Sequence, residues 1–390
     1  MGHHTDASLQ PNTPSRVANT VSLCLTGDVM TGRGIDQIMP HPCPPEIHEP
    51  AMDSALGYVR LAERVSGPLP RAVRPEYIWG DAIAVLERIR PDLRIINLET
   101  AVTTAEDWEP KGINYRMHPA NLPCLAAAGI DCCVLANNHV LDWGLAGLEE
   151  TLASLHRAGL KTAGAGHDAR EAAAPAILPL AQGGCVLVFA WGAESSGVPA
   201  RWAAGAMHAG VNQLPDLSDG TVQNIARQIE RVKQPGDLVI ASLHWGGNWG
   251  YRIPEVHHEF AHLLIDVAGV DIIHGHSSHH PIGLEVYRGK LILYGCGDLL
   301  NDYEGIGGYE SFRGDLSLLY IARLDQANGC LAELSMIPFR IRRFQLQRAT
   351  GEDADWLHEV LARESLIPGY AFECTQDNIL RLTRLLPQGS

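Results

Sequence analysis

With 390 residues, 46% of them hydrophobic and 19% charged, the chain can bury a substantial core, which excludes wholesale disorder. Asp and Glu total 45 against 30 Lys and Arg, a net charge of −15; such an acidic surface repels phosphodiester backbones and argues against nucleic acid as a partner. The cysteines are scattered, odd in number and without CxxC spacing, so they read as reduced thiols rather than a disulfide framework.

Met1 to Asn19 is polar and contains proline; it lacks the apolar stretch of a signal peptide and is expected to be disordered. The most apolar window, Ala172 to Trp191, is broken by Pro175, Pro179, Gln182, Gly183 and Gly184, so no membrane span is expected and the protein reads as cytoplasmic. Short β-rich runs alternate with helical patterns, which predicts an α/β fold built from βαβ units. The runs are Val21 to Thr26, Leu93 to Leu98, Cys132 to Ala136, Cys185 to Trp191, Leu238 to Leu243, Ile272 to His274, Leu291 to Tyr294 and Leu316 to Ala322. Leu145, Leu148, Leu152 and Leu155 share one helical face ahead of Gly159, and Val256, Phe260, Leu263, Leu264 and Val267 share another before Gly269. Pro40 to Pro75, proline-rich and aperiodic, is expected to be a loop-like insertion with a short helix, placed to cover a site as a lid. Residues 20–345 would form the main domain, and 346–390 a peripheral helical extension.

Polar residues follow these apolar runs in a regular way. Asp28 comes after Leu23-Cys24-Leu25, Asn97 and Glu99 after Ile95-Ile96, and Asn137, Asn138 and His139 after Val134-Leu135-Ala136. His244 comes after Ile240-Ala241-Ser242-Leu243, and His274, His276 and His279 after Ile272-Ile273. In an open α/β sheet the carboxyl ends of the strands form the binding edge, so five segments would converge there. A single strand-end Asp or His is more often a helix cap or a hydrogen-bonded loop residue; the ordered series is what points to a site. Two carboxylates, an amide and several imidazoles suit two divalent ions such as Mn, Zn or Fe, with no organic cofactor.

The series Gly27-Asp28-Val29-Met30 with Gly32-Arg33, Asn97-Leu98-Glu99, Asn137-Asn138-His139 with Asp142 and Gly144, His244-Trp245-Gly246, and Gly275-His276 with His279 resembles the CapA family. That family, named for bacterial poly-γ-glutamate capsule synthesis, belongs to the calcineurin-like metallophosphoesterase superfamily. The resemblance spans roughly Val21 to Leu324 and implies a four-layer α/β/β/α sandwich. It further implies that Asp28 binds one metal, Glu99 bridges both, Asn138 and His244 bind the second, and His276 and His279 complete the sites. His139, oriented by Asp142, would be the acid/base. Two departures stand out: Met30 occupies the place of the first-site histidine, and the capsule-type Gly-His-His-Pro-His is here Gly275-His276-Ser277-Ser278-His279-His280. The membrane-anchoring N-terminal segment usual in the capsule proteins is not seen here.

Arg33 and Arg313 are candidates to grip a substrate carboxylate or phosphate, or are structural arginines. Trp245, Trp249 and Tyr251 form a pocket wall or pack in the core, and Asp298 and Asp302 are partners of histidine ligands or simple caps. Gly164-Ala165-Gly166 lacks the Lys-Ser/Thr of a phosphate loop, and no Gly-x-Ser-x-Gly elbow occurs. Three reactions remain: phosphoester hydrolysis, cleavage or transfer at a γ-glutamyl amide, and Cα proton abstraction. Soluble CapA-like proteins encoded with ribosomal peptides, including lasso peptides, are peptide epimerases of the third kind. The missing first-site histidine, the absent export signal and the aromatic run favour epimerisation of a peptide, with polyglutamate as the other substrate and a metal-free scaffold as the non-enzymatic alternative.

Overall fold

The computed structural model describes residues 19–385. The segment expected to be disordered, Met1 to Asn19, lies outside them except for Asn19. Two β-sheets stack face to face. The first has ten strands, in the order Tyr370–Cys374, Leu380–Arg384, Leu331–Arg342, Leu316–Asp325, Thr20–Val29, Leu93–Leu98, Cys132–Val134 and Lys161–Ala163. Asp298–Leu300 pairs beside Thr20–Val29, and Gln345–Arg348 beside Leu331–Arg342. The second has seven, in the order Ala176–Pro179, Cys185–Ala193, Leu238–His244, Ile272–His276, Lys290–Leu293 and Leu284–Tyr287, with Gln213–Leu214 paired to Cys185–Ala193.

Alternation along each strand assigns its side chains to layers. Val21, Leu23 and Leu25 join Val186, Val188, Ile240 and Ile272 between the sheets, whereas Cys24 turns to the outer face of the first sheet. That outer face is covered by Leu56–Ser66, Ala82–Ile89 and Gly144–Arg157, and the second sheet's outer face by Asp219–Glu230 and Glu255–Asp266. The result is the four-layer α/β/β/α sandwich. Because both faces of each sheet are buried, the central strands read as unbroken apolar runs.

Four neighbouring strands of the first sheet run parallel, from Thr20–Val29 to Lys161–Ala163, and so do the four from Cys185–Ala193 to Lys290–Leu293 in the second. Their carboxyl ends therefore open on one edge.

The two predicted apolar helical faces are buried at Leu148, Leu152, Leu155, Phe260 and Leu264. Leu145 and Val256, in first turns, and Val267, at a helix end, face solvent instead. The insertion is more ordered than a loop: Glu46–Glu49 and Met52–Ser54 form a hairpin, and Leu56–Ser66 is an 11-residue helix that sends Val59 and Ala62 into the core. The C-terminal extension is not purely helical either. After Gly351–Glu364, capped by a reciprocal Thr350–Asp353 box, Tyr370–Cys374 and Leu380–Arg384 close the edge of the first sheet and bury Phe372, Leu380 and Leu382. No helix among the described residues is long and apolar enough to cross a membrane.

Candidate metal centre

Asp28 ends the first strand where pairing to Leu93–Leu98 slips out of register and Asp298–Leu300 comes alongside. The approach is close: a Cβ on Gly27 would stand 1.6 Å from the Gly297 carbonyl oxygen, so only glycine fits there. Asn97 Nδ2 donates to Asp28 Oδ1 at 2.7 Å and to Glu99 Oε2 at 3.0 Å, and Asn97 Oδ1 is itself held by Asn137 Nδ2 at 3.0 Å. Ser277, with φ +104°, turns its N–H onto Asp28 Oδ2 at 3.2 Å. A non-glycine residue kept in that region is strained, a feature that concentrates at functional sites.

Asp28, Glu99 and Asp298 are all buried. Burial pushes the Asp28 carboxyl up to about 7, with Asp298 adding to the effect, and burial together with Asp28 drives Glu99 well above its usual range. Buried acids this close are costly when ionised unless a cation joins them.

The imidazoles supply the complement. His274 Nε2 donates to the Thr26 carbonyl at 2.7 Å, so its Nδ1 accepts from Ser242 Oγ at 3.1 Å. Ser242 Oγ then accepts from His276 Nε2 at 2.8 Å, which leaves His276 Nδ1 as a lone pair. That lone pair points 2.8 Å from His244 Nδ1 and 4.0 Å from Asp28 Oδ1. Burial holds His244 and His276 well below the usual histidine pKa, so both are neutral, the form that binds metals.

Two groups of donors result. Asp28, His244 and His276 bring ligand atoms within 4.8 Å of one another, and so do Asp28, His279 and Asp298. Asp28 is common to both. The expectation from sequence put Glu99 in the bridging role and Asp28 on one ion. Here Glu99 Oε1 stands 4.0 Å from His244 Nε2, beside the first group, and Asn138 Oδ1 stands 3.0 Å from the same nitrogen. Buried carboxylates beside the neutral imidazoles of His244 and His276 fit divalent ions of intermediate softness, while at His279 the effect of burial is outweighed by Asp298, which raises the pKa. Met30 offers no imidazole there, and Asp298, whose Oδ1 is 3.0 Å from His279 Nδ1, is a further candidate donor in the second group.

His139 stands at the mouth. Its Nδ1 is 2.6 Å from Asp142 Oδ2, and its Nε2 is 3.8 Å from Glu99 Oε1. Asp142 is fixed in turn by the Tyr115 N–H at 2.6 Å and by Lys111 Nζ at 2.6 Å; the same ammonium reaches the Asn138 carbonyl. Burial lowers the His139 pKa to about 4 despite Asp142. These groups open on a cleft of about 180 Å³ lined also by Ile113, Asn248, Ser277 and Tyr303.

The sequence matches the family described as "Bacterial capsule synthesis protein PGA_cap" over residues 22–303. The chain belongs to this family. It is 48% identical over 366 residues to a "Probable polyglutamine synthesis accessory protein" of Mycobacterium tuberculosis, covering 93% of this chain and 96% of that one. It is 23% identical over 286 residues to "PGA biosynthesis protein CapA" of Bacillus subtilis, covering 73% and 64%. A solved phosphatase of Mycoplasma pneumoniae aligns with a TM-score of 0.46 and 13% identity over 83% of this chain and 94% of that one.

The span matched to PGA_cap contains the residues of both donor groups as well as Glu99, Asn138 and the His139–Asp142 pair. Three residues expected at the substrate are engaged elsewhere. Arg33 is buried, paired with Asp302 and Glu49 and laid over the rings of Tyr58 and Tyr115, so its guanidinium is engaged in holding the insertion down. Arg313 spends its guanidinium on Asp315 and Asp353. Trp245 is buried, stacked on His257 and donating Nε1 to the Tyr294 carbonyl at 2.9 Å, which places it in the outer core. Trp249 does reach the edge of the site, its ring centroid 5.3 Å from that of His279. Tyr251 stands edge-on to His280 and close to Phe312. Lys111 was not foreseen, because a single lysine in a long connection carries no periodic or motif signal.

Proposed function

We propose that this PGA_cap protein is a two-metal hydrolase that cleaves an amide bond in a glutamate- or glutamine-rich peptide chain. The observation that carries the reading is the sharing of Asp28 between two donor groups, with the His139–Asp142 pair beside them. Asp28, His244 and His276 would hold one ion, and Asp28, His279 and Asp298 the other, with Glu99 and Asn138 beside the first. When bound, such a pair of ions polarises an acyl oxygen and brings the pKa of water toward neutrality.

The protein's own groups handle the proton and the orientation. Asp142 accepts from His139 Nδ1 and so fixes the tautomer, leaving Nε2 free to take a proton in the cleft and return it to the departing nitrogen. Water adds across the bond: the oxygen goes to the new carboxylate and the hydrogens to the new amine and the solvent. Lys111 keeps Asp142 and the Asn138 backbone in register. The substrate class follows from the names borne by the relatives, "polyglutamine synthesis" and "PGA biosynthesis".

Cα proton abstraction by the same His139 Nε2 is the second reading, and phosphoester hydrolysis the third. The case for abstraction drew partly on a depleted first metal site, and the position of Asp298 beside His279 weakens that ground. Incubation of the Mn²⁺-loaded protein with glutamyl and glutaminyl oligomers in H₂¹⁸O and D₂O separates them. Hydrolysis places one ¹⁸O in a new carboxylate and releases shorter chains. Deuterium at Cα with the chain intact would install the epimerase instead, and phosphate release from phosphoesters without peptide turnover would install the phosphoesterase.

A further inference from the structure

Beside the metal cleft lies a second, larger cavity of about 550 Å³, and Tyr303 lines both. The neighbours Asn248 and Trp249 continue the boundary, the first on the cleft and the second on the cavity. The 180 Å³ cleft has room for a reacting bond and little more, while the adjoining space falls in the ~300–1,000 Å³ range of organic-ligand sites. The cavity therefore adjoins the cleft along Tyr303 and the Asn248–Trp249 pair.

On one side of this cavity Trp249 and Tyr309 stack with centroids 4.1 Å apart and planes 8° from parallel, and Tyr309 remains 46% exposed. Arg313, Arg340 and Arg342 line it as well, together with the acids Glu304, Glu310 and Asp315. Asp315 and Asp353 are paired with arginines, whereas Glu304 and Glu310 accept from neutral donors and keep their negative charge. Asp315 and Asp353 bind Arg313, and Glu310 Oε1 accepts from the Gly308 N–H at 2.9 Å. Glu304 is held by Ser66 Oγ and by the Arg343 N–H. Arg340 uses Nε on Asp315 at 3.1 Å and stands with Nη1 3.9 Å from Asp353 Oδ2, its side chain 47% exposed, and Arg342, also exposed, spends only Nε on a 3.3 Å contact to Ser66 Oγ among the described residues.

We propose that this cavity is an extended subsite that holds the part of an acidic peptide chain flanking the reacting bond, with a carboxylate on Arg342, assisted by Arg340, and the chain lying against the Trp249–Tyr309 stack. The inference rests on the peptide reading of the metal site for its substrate class. It adds that the protein engages several residues of its substrate at once, so binding strengthens with chain length until the cavity is filled. A guanidinium offers a two-point match to a carboxylate, and an exposed aromatic stack offers a flat apolar surface to the methylenes of glutamyl side chains.

Titration of the Mn²⁺-loaded full chain with L-glutamate oligomers from dimer to octamer, followed by tryptophan fluorescence and calorimetry, tests this. Affinity should climb with length and then level off. Arg342→Gln and Tyr309→Ala, both at exposed positions that the fold does not need, should each weaken the octamer by about tenfold or more while leaving the dimer unchanged. Equal affinity for dimer and octamer, an octamer insensitive to both substitutions, or no binding of any oligomer overturns the subsite. Length-dependent binding without cleavage sinks the hydrolase reading and keeps the subsite. Cleavage with a KM indifferent to length and to Arg342→Gln keeps the hydrolase and sinks the subsite.

Discussion

Arg33 closes a two-point ion pair on the carboxylate of Asp302, Nε to Oδ2 at 3.1 Å and Nη2 to Oδ1 at 2.5 Å, beneath the ring of Tyr58. A third contact, Nη1 to Glu49 at 3.0 Å, ties in the insertion hairpin. All three side chains are buried. Removing one partner from such a cluster strands the opposite charges, so Arg33→Met should lower stability by about 3–5 kcal/mol, read by urea or thermal unfolding. Arg33→Lys keeps a charge but loses the planar fork and should fall between the two. A raised KM with unchanged unfolding would return Arg33 to the substrate.

The sharing of Asp28 makes a sharper prediction about metal content. Asp28→Asn removes a donor from both groups and should take bound metal to near zero, whereas His279→Ala should remove about half and His276→Ala the other half. Inductively coupled plasma mass spectrometry on dialysed protein gives the count. If Asp28→Asn retains one full equivalent, the two sites do not share this carboxylate and the bridge belongs to Glu99.

His139 should separate from these ligands. His139→Asn is expected to leave metal content unchanged and lower turnover by ~10²–10⁴, the usual worth of a positioned acid/base. Lys111→Met should cost less than that, since Asp142 retains the Tyr115 N–H and His139. Loss of metal from His139→Asn would make it a ligand.

How much of this was legible beforehand depended on the reach of each interaction. An apolar run followed by Gly-Asp or Asn-Asn-His shows its strand end within a few residues, and the parallel topology then gathers such ends at one edge. The fate of Arg33 was not legible in that way, because Asp302 is 269 residues distant and nothing local distinguishes a locked arginine from a waiting one. Of the two readings open for Trp245, core packing holds: strand alternation places His244 toward the site and turns the next residue away, onto His257 and Phe260. The C-terminal strands were missed because Tyr370–Cys374 and Leu380–Arg384 form a short edge hairpin whose outward residues include Glu373, Arg381 and Arg384, so only Phe372, Leu380 and Leu382 carry the pattern.

Trp245 also supports a prediction about pH. His257 lies flat on its ring, centroids 4.3 Å apart and planes 7° from parallel, on the outer face of the second sheet. Burial, with a smaller contribution from His258, lowers the His257 pKa from 6.5 to about 4. The unfolded chain therefore takes up this proton near pH 6.5 and the folded chain only near 4. Stability from this group is complete above pH 6.5, drains away as the pH falls through the interval, and is fully lost below about 4. The fall from 6.5 to about 4 is worth about 3.5 kcal/mol at ~1.4 kcal/mol per pKa unit, of which on the order of 2–3 kcal/mol is lost between pH 7.5 and pH 4.5. His257→Phe keeps a flat ring against Trp245 but has no proton to bind, so its loss of stability between pH 7.5 and pH 4.5 should be smaller than that of the parent by about this amount. Urea unfolding of both proteins at the two pH values, at equal metal saturation, supplies the four free energies. Other buried histidines contribute equally to parent and variant and cancel in the difference. Parallel pH profiles would show that His257 does not resist protonation in the folded state.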